Sequence, residues 1–119
     1  MKYDNKVTGR IGEATTEQYL QDKGWEIIER NYSTRFGEID LIVRDKDILV
    51  FVEVKTKKGL DFGTPEEMFG RGKYERVKRM ATVYLNGRDV PCRIDMVAVI
   101  LDSDNHLVTL NHYPNVNYL

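Results

Sequence analysis

The sequence predicts an α/β fold with its elements in the order αβββαββ, a mixed β-sheet flanked by helices. Three observations carry this reading. A helical segment with a glycine stop opens the chain, three strand-sized segments with short connections follow, and a basic amphipathic segment separates these from two more strands. The chain has 119 residues, the length of one domain with one core, so residues 1–119 are expected to form a single unit. Hydrophobic residues are 41% and charged ones 31%, enough for a packed core and unlike a disordered chain.

Residues 8–23 read as the first helix, with Thr8 as N-cap, Ile11, Ala14, Tyr19 and Leu20 turned inward, and Gly24 at the C′ position. Trp25 to Tyr32 reads as the first strand. Gly37 to Arg44 alternates, placing Ile39, Leu41 and Val43 on one face and Glu38, Asp40 and Ile42 on the other. The β-branched run from Ile48 to Thr56 is the third strand. Thr64-Pro65-Glu66-Glu67 has the form of a capping box with proline at N1, and Gly70 and Gly72 interrupt the helical region that it starts. A basic amphipathic helix then runs to Leu85, with Val77, Ala81 and Tyr84 at helical spacing and Asn86-Gly87 as its stop. Arg93–Leu101 and His106–Asn111 form the last strands around the turn Asp102–Asn105. Gly37 and Gly63 are read as turn or close-approach positions.

The longest apolar runs, Ile48–Val52 and Met96–Leu101, are far short of the roughly 18 residues of a membrane span, and the first residues lack the apolar core of a secretory signal. Cys92 is the only cysteine, which excludes an internal disulfide, and so few cysteines and histidines argue against structural zinc. A soluble, cytoplasmic protein with no membrane partner is the expectation. Net charge is −1, from 18 basic and 19 acidic side chains, so bulk charge does not point to nucleic acid. The distribution is less even. Lys55, Lys57, Lys58, Arg71, Lys73, Arg76, Lys78 and Arg79 face only Asp61, Glu66, Glu67 and Glu75 over the same stretch.

Strands two and three carry charge where a sheet should be apolar. An even turn centred between Lys46 and Asp47 places Asp40 opposite Glu53 and Glu38 opposite Lys55; an odd turn would shift that register. Facing side chains in such a ladder are roughly 4.5–5.5 Å apart at Cβ, and two carboxylates at that distance repel unless a cation lies between them. A hard divalent ion prefers oxygen ligands, and magnesium typically takes one or two carboxylates plus water. The spacing is equally compatible with an exposed charge ladder in which Lys55 pairs with Glu38 or Glu53.

Gly37-Glu38-Ile39-Asp40-Leu41-Ile42, followed by Phe51-Val52-Glu53-Val54-Lys55-Thr56, resembles the D…(D/E)-x-K signature of restriction-endonuclease-like, PD-(D/E)XK, nucleases. The chain resembles more closely the bacterial YraN family of small nuclease-like proteins, also called UPF0102. The matching motifs are Gly9-Arg10-Ile11-Gly12-Glu13, Glu29-Arg30-Asn31-Tyr32, Phe62-Gly63-Thr64-Pro65, Lys73–Arg76 and Arg93-Ile94-Asp95. The tail from His112 to Asn117 matches that family only loosely, and Lys57 and Lys58 stand where an arginine is common.

The resemblance implies a restriction-endonuclease-like core related to archaeal Holliday-junction resolvases. It implies an Mg2+- or Mn2+-dependent endonuclease that hydrolyses phosphodiester bonds in DNA rather than RNA, at branched or damaged structures. Asp40 and Glu53 would bind the metal, Glu13 would complete its shell, and Lys55 would position or activate the attacking water. Phosphate contacts are expected from Lys57, Lys58, Lys73, Arg76 and Arg79, with a homodimer left open. The competing reading is a non-catalytic module that keeps the nuclease fold and binds nucleic acid or protein. Glu38 is a candidate partner for Lys55, and Asp95 is expected to bond Arg10, Arg93 or a backbone amide rather than a metal. His106, His112 and Cys92 are assigned no chemistry. Trp25 and the tyrosines are read as core or amphipathic surface.

Overall fold

A computed structural model of the protein describes residues 2–59 and 63–117; Asp61 and Phe62 lie outside the described residues. The elements are α1 (Lys2–Asp22), β1 (Glu26–Thr34), β2 (Gly37–Asp45), β3 (Ile48–Lys58), a 3₁₀ turn at Glu66–Met68, α2 (Arg71–Leu85), β4 (Cys92–Leu101) and β5 (Leu107–Tyr113). This is the αβββαββ order read from the sequence. The strands form one mixed sheet in the spatial order β1-β2-β3-β4-β5. β3 and β4 are parallel, joined by the segment that contains α2, and every other pairing is antiparallel.

The two helices cover different faces. Val77, Met80 and Ala81 of α2 pack on Ile39, Ile42, Phe51, Ile94 and Met96. Leu20 of α1, with Ile11 and Tyr19 beside it, packs on Leu41, Val43, Val50, Val52, Val97 and Val99. Because β3 and β4 are covered on both sides, their sequences read as nearly continuous apolar runs. Such a sheet is compatible with a nuclease-like core. Among the described residues no helix is long and apolar enough to cross a membrane.

Three expectations need correction. The helix α1 begins at Lys2, so Thr8 is an interior residue and not its N-cap, and Ala14 is exposed. The stripe that meets the sheet is Thr8, Gly12, Thr16 and Leu20, four residues apart but mostly small or polar, so apolar periodicity does not reveal it. Second, the helical region expected after Pro65 is a single 3₁₀ turn. Thr64 Oγ1 accepts the Glu67 amide at 3.3 Å, and Gly70 then caps α2. Third, β2 does not alternate throughout, since Ile39 shares the α2 face with Ile42 while Leu41 and Val43 lie on the α1 face. The break falls at Asp40. Both stops hold: Gly24 is left-handed at φ 87°, and Asn86 at φ 48° donates its amide to Thr82.

Candidate functional site

The turn between β2 and β3 has the even register, with Asp45 paired to Ile48 and the ladder running to Leu41 and Val52. Lys46 accommodates the turn by adopting φ 56°. Past Leu41 the ladder stops and the side chain of Asp40 takes over. Its Oδ2 accepts the Val54 amide at 2.7 Å, where a strand carbonyl would otherwise stand. The neighbouring strand adapts at the same level, because Asn31 of β1 is left-handed at φ 52°. Asparagine tolerates that conformation better than most residues. This opening admits Asp40 and Glu53 into the buried part of the sheet.

Glu53 follows Val52 on β3 and turns to the α2 face. Its side chain is 3% exposed, and its carboxyl and that of Asp40 are close enough to share a hydrogen bond. Lys73 of α2 brings its Nζ within 3.1 Å of Glu53 Oε2. The contact is an ion pair without hydrogen-bond alignment, so that buried oxygen has no hydrogen-bond partner among the described residues. Glu38, Glu53, Lys73 and Arg76 line a cavity of about 50 Å³ with Met80 and Phe36.

Glu13 reaches the same region from α1. The helix comes close to β3 because Gly12 has no side chain: a Cβ there would collide with Thr56 Oγ1. With its amide turned to satisfy both acids, Asn31 donates to Glu13 Oε1 and Glu38 Oε1 at 3.2 Å each. Ser33 Oγ donates to Glu38 Oε2 at 3.2 Å. Glu38 is therefore held by β1 and is not the partner expected for Lys55.

The acids stand where negative charge is costly. Burial, the hydrogen bond to Asp40 and the Asp40 charge push the Glu53 carboxyl up to about 9, against the pull of Lys73. Burial, then Asp40 and Glu38, push Glu13 up to about 7, against Arg10. Near neutral pH the Asp40–Glu53 pair thus holds one proton between two carboxyls. An all-oxygen donor set with an unsatisfied buried oxygen fits a hard divalent cation, for which two carboxylates plus water suffice. Glu13 is the outlying member, as the three carboxylates do not bring their oxygens within 4.8 Å of one another.

Among the described residues, Lys55 is not one of the groups that bond Glu38, Asp40 or Glu53. It lines a cleft of about 470 Å³ with Thr8, Gly9, Lys57 and Lys58, and it makes no ion pair among the described residues. The cation that the structure brings to the acids is Lys73, expected from the sequence only as a phosphate contact. Arg76 faces the small acid-lined cavity, while the Arg79 guanidinium lies 5.3 Å from the Phe36 ring centre. Asn31 enters the sequence reading only within the Glu29–Tyr32 motif and with no role of its own; an asparagine inside a strand is the signal that could have marked it.

Asp95 bonds as expected, with Arg93 Nε at 2.9 Å and the Asn115 amide at 2.9 Å. It also meets His112 Nε2 at 2.7 Å, and His112 Nδ1 lies 3.1 Å from the Tyr19 hydroxyl. His112 is therefore a structural link in a buried network. Among the described residues, only Asp102, Asp104 and His106 group their potential ligand atoms within 4.8 Å. The β4–β5 turn accounts for that cluster, because Asp102 Oδ1 accepts the amides of Asp104 and His106 at 2.8 and 2.9 Å.

Residues 12–99 match the Uncharacterised protein family UPF0102. A UPF0102 protein of Dictyoglomus turgidum is 39% identical over 115 residues, covering 94% of this chain and 98% of the relative. One from Nocardia farcinica is 40% identical over 119 residues, covering 98% and 88%. One from Moorella thermoacetica is 43% identical over 105 residues, covering 86% and 88%.

Proposed function

The chain belongs to the uncharacterised UPF0102 family, and from the acid pair at the β2–β3 opening we propose that it is a divalent-metal-dependent endonuclease acting on DNA. One observation carries the proposal: Asp40 and Glu53 are buried side by side, with one Glu53 oxygen left without a hydrogen bond among the described residues. A charge ladder would face solvent. This pair is withdrawn from solvent with two acids against the one lysine, Lys73, that reaches it, which supports a site for a divalent cation.

Asp40 and Glu53 would hold Mg2+ or Mn2+, and Glu13 would complete the set. The chemistry such an ion supplies is polarisation of a phosphoryl oxygen and a lowered pKa for bound water. The chain's own residues do the rest. Val54 donates its amide to Asp40 and so fixes the carboxylate's direction. Asn31 holds Glu13 and Glu38 apart from the pair by bonding both. Lys73 and Arg76 at the acid cavity, and Lys55, Lys57 and Lys58 along the cleft, offer positive charge to the phosphates on either side of the scissile bond. Lys55, two residues beyond Glu53 on β3, would orient an attacking water.

The test is cleavage of single-stranded, duplex, flapped and four-way DNA, and of RNA, with Mg2+, with Mn2+ and in chelator. Metal-dependent products that Asp40→Ala abolishes are expected, with DNA cut in preference to RNA. Metal-independent binding without cleavage of any substrate would replace the enzyme with a binding module.

A further inference from the structure

We propose that Lys73 is a resident counter-ion of the acid pair: its ammonium holds the place beside Glu53 until a divalent ion loads, and then turns outward to a phosphate. The inference rests on the metal-site reading above and adds a competition that the reading does not require.

Several observations lead to it. Lys73 Nζ lies 3.1 Å from the Glu53 oxygen that has no hydrogen bond among the described residues. An ammonium and a hard divalent ion seek the same atom there, and in so small a cavity their like charges repel. The Lys73 side chain is 37% exposed while that of Glu53 is 3% exposed, so the lysine reaches inward from the surface. Its flexible stem can reverse without moving the helix. The helix gives it little reason to point inward: Lys73 sits in the first turn of α2, where the helix dipole disfavours cations, and no acidic residue shares that turn. Among the described residues Glu53 alone pairs with it. The cavity that it enters is about 50 Å³. A magnesium ion keeps several waters, and they need the room that the ammonium occupies.

Loading and nucleic-acid affinity are then linked through one side chain. An ion that displaces Lys73 frees a positive charge for phosphate, and by reciprocity a bound phosphate favours loading of the ion.

The full chain, Lys73→Met and Lys73→Gln should be titrated with Mn2+ alone, followed by calorimetry and by the electron paramagnetic resonance of free Mn2+, after thermal melting shows each variant folded. Both variants should bind Mn2+ on the order of tenfold more tightly than wild type, while Lys73→Arg, which keeps the charge, stays near it. Duplex binding should also be followed against salt in Ca2+ and in chelator. Wild type should steepen by about 0.9 in Ca2+, one further phosphate contact, and Lys73→Met should not. Unchanged or weaker Mn2+ binding by both neutral variants, with wild type binding normally, overturns the Lys73 role and leaves the metal site standing. No Mn2+ binding by any form overturns both. A wild-type slope that does not steepen overturns the outward turn.

Discussion

Asp95 and Glu53 occupy neighbouring rungs of the same pair of parallel strands, Val52 beside Asp95 and Glu53 beside Met96, yet they face opposite ways. Both are buried. Their surroundings could hardly differ more. On the α1 face, Asp95 receives Arg93, His112 and the Asn115 amide, and His112 is wedged between the rings of Tyr19 and Trp25 at 5.6 and 5.5 Å. Burial alone would raise its carboxyl, but the bonds from His112, Arg93 and Asn115 and the Arg93 charge hold it below the ordinary aspartate value. On the α2 face, Glu53 meets another acid and one partly exposed lysine, and is pushed up. A buried charge with full partners ties strands together; one without them is destabilising.

The largest effect expected is a pair of amide substitutions with opposite signs. Asp95→Asn in chelator removes the buried charge that Arg93, His112 and the Asn115 amide converge on, leaving Arg93 only its longer contact with Asp45, and should cost about 3 kcal/mol, a fall in Tm of about 10–15 °C. Glu53→Gln removes a carboxyl that folding has to neutralise, and should raise stability by about 1–3 kcal/mol at pH 9. Thermal and urea unfolding in chelator check both. If the two substitutions destabilise alike, the contrast between the faces is lost.

The same contrast predicts opposite dependences on pH. Asp95 is depressed in the folded state, so its contribution is present above the unfolded value of 3.8 and is lost as pH falls through the folded value. Glu53 is raised from 4.5 to about 9, so the folded state binds the extra proton across that window and stability falls as pH rises through it. Glu13, raised to about 7, adds a slope of the same sign only up to that pH. Between about pH 7 and 9 the slope therefore belongs to Glu53. Metal-free wild type should lose stability over that interval and Glu53→Gln should not. A slope that survives Glu53→Gln would assign it to another group.

How far the two sites can be read without coordinates follows from the range of their contacts. The β2–β3 register is legible because a short turn fixes it, and the pairing of Arg93 with Asp95 because the two lie on one face of one strand. The break at Asp40 is not, since it depends on a side chain taking a backbone carbonyl's place and on Asn31 in the adjoining strand entering a left-handed conformation. Lys55 attracts attention because it is two residues from Glu53. Lys73 is twenty residues from Glu53 and reaches it only because the parallel β3–β4 connection lays α2 over that strand. The contact of His112 with Asp95 likewise needs β5 to return beside β4.

A smaller effect sharpens the role of the α2 face. Lys73→Ala with Arg76→Ala should flatten the salt dependence of duplex binding by up to about two in slope when a divalent ion is present. In chelator, where Lys73 is engaged by Glu53, the loss should be nearer one. An unchanged slope in both conditions would mean that this face of α2 does not meet the substrate.

The smallest effect separates repulsion from support at Asp40 itself. Asp40→Asn keeps an oxygen that can accept the Val54 amide and removes one of two adjacent acids. Relief of a cross-strand like-charge pair is worth about 0.2–1 kcal/mol, roughly 1–6 °C for a domain of this size. The gain in chelator should be small near neutral pH, where one proton is already held by the pair, and should grow toward pH 9 as that proton leaves. Magnesium at ten times its dissociation constant should add about 1.4 kcal/mol to wild type and much less to the variant. Asp40→Asn also turns an amide N–H toward Glu53 and thereby stabilises its ionised form, which moves the pH dependence of unfolding downward. If the variant instead melts below wild type in chelator and gains as much from magnesium, Asp40 serves the sheet through Val54 alone. The acid pair would then be a structural feature of the strand break and no metal site.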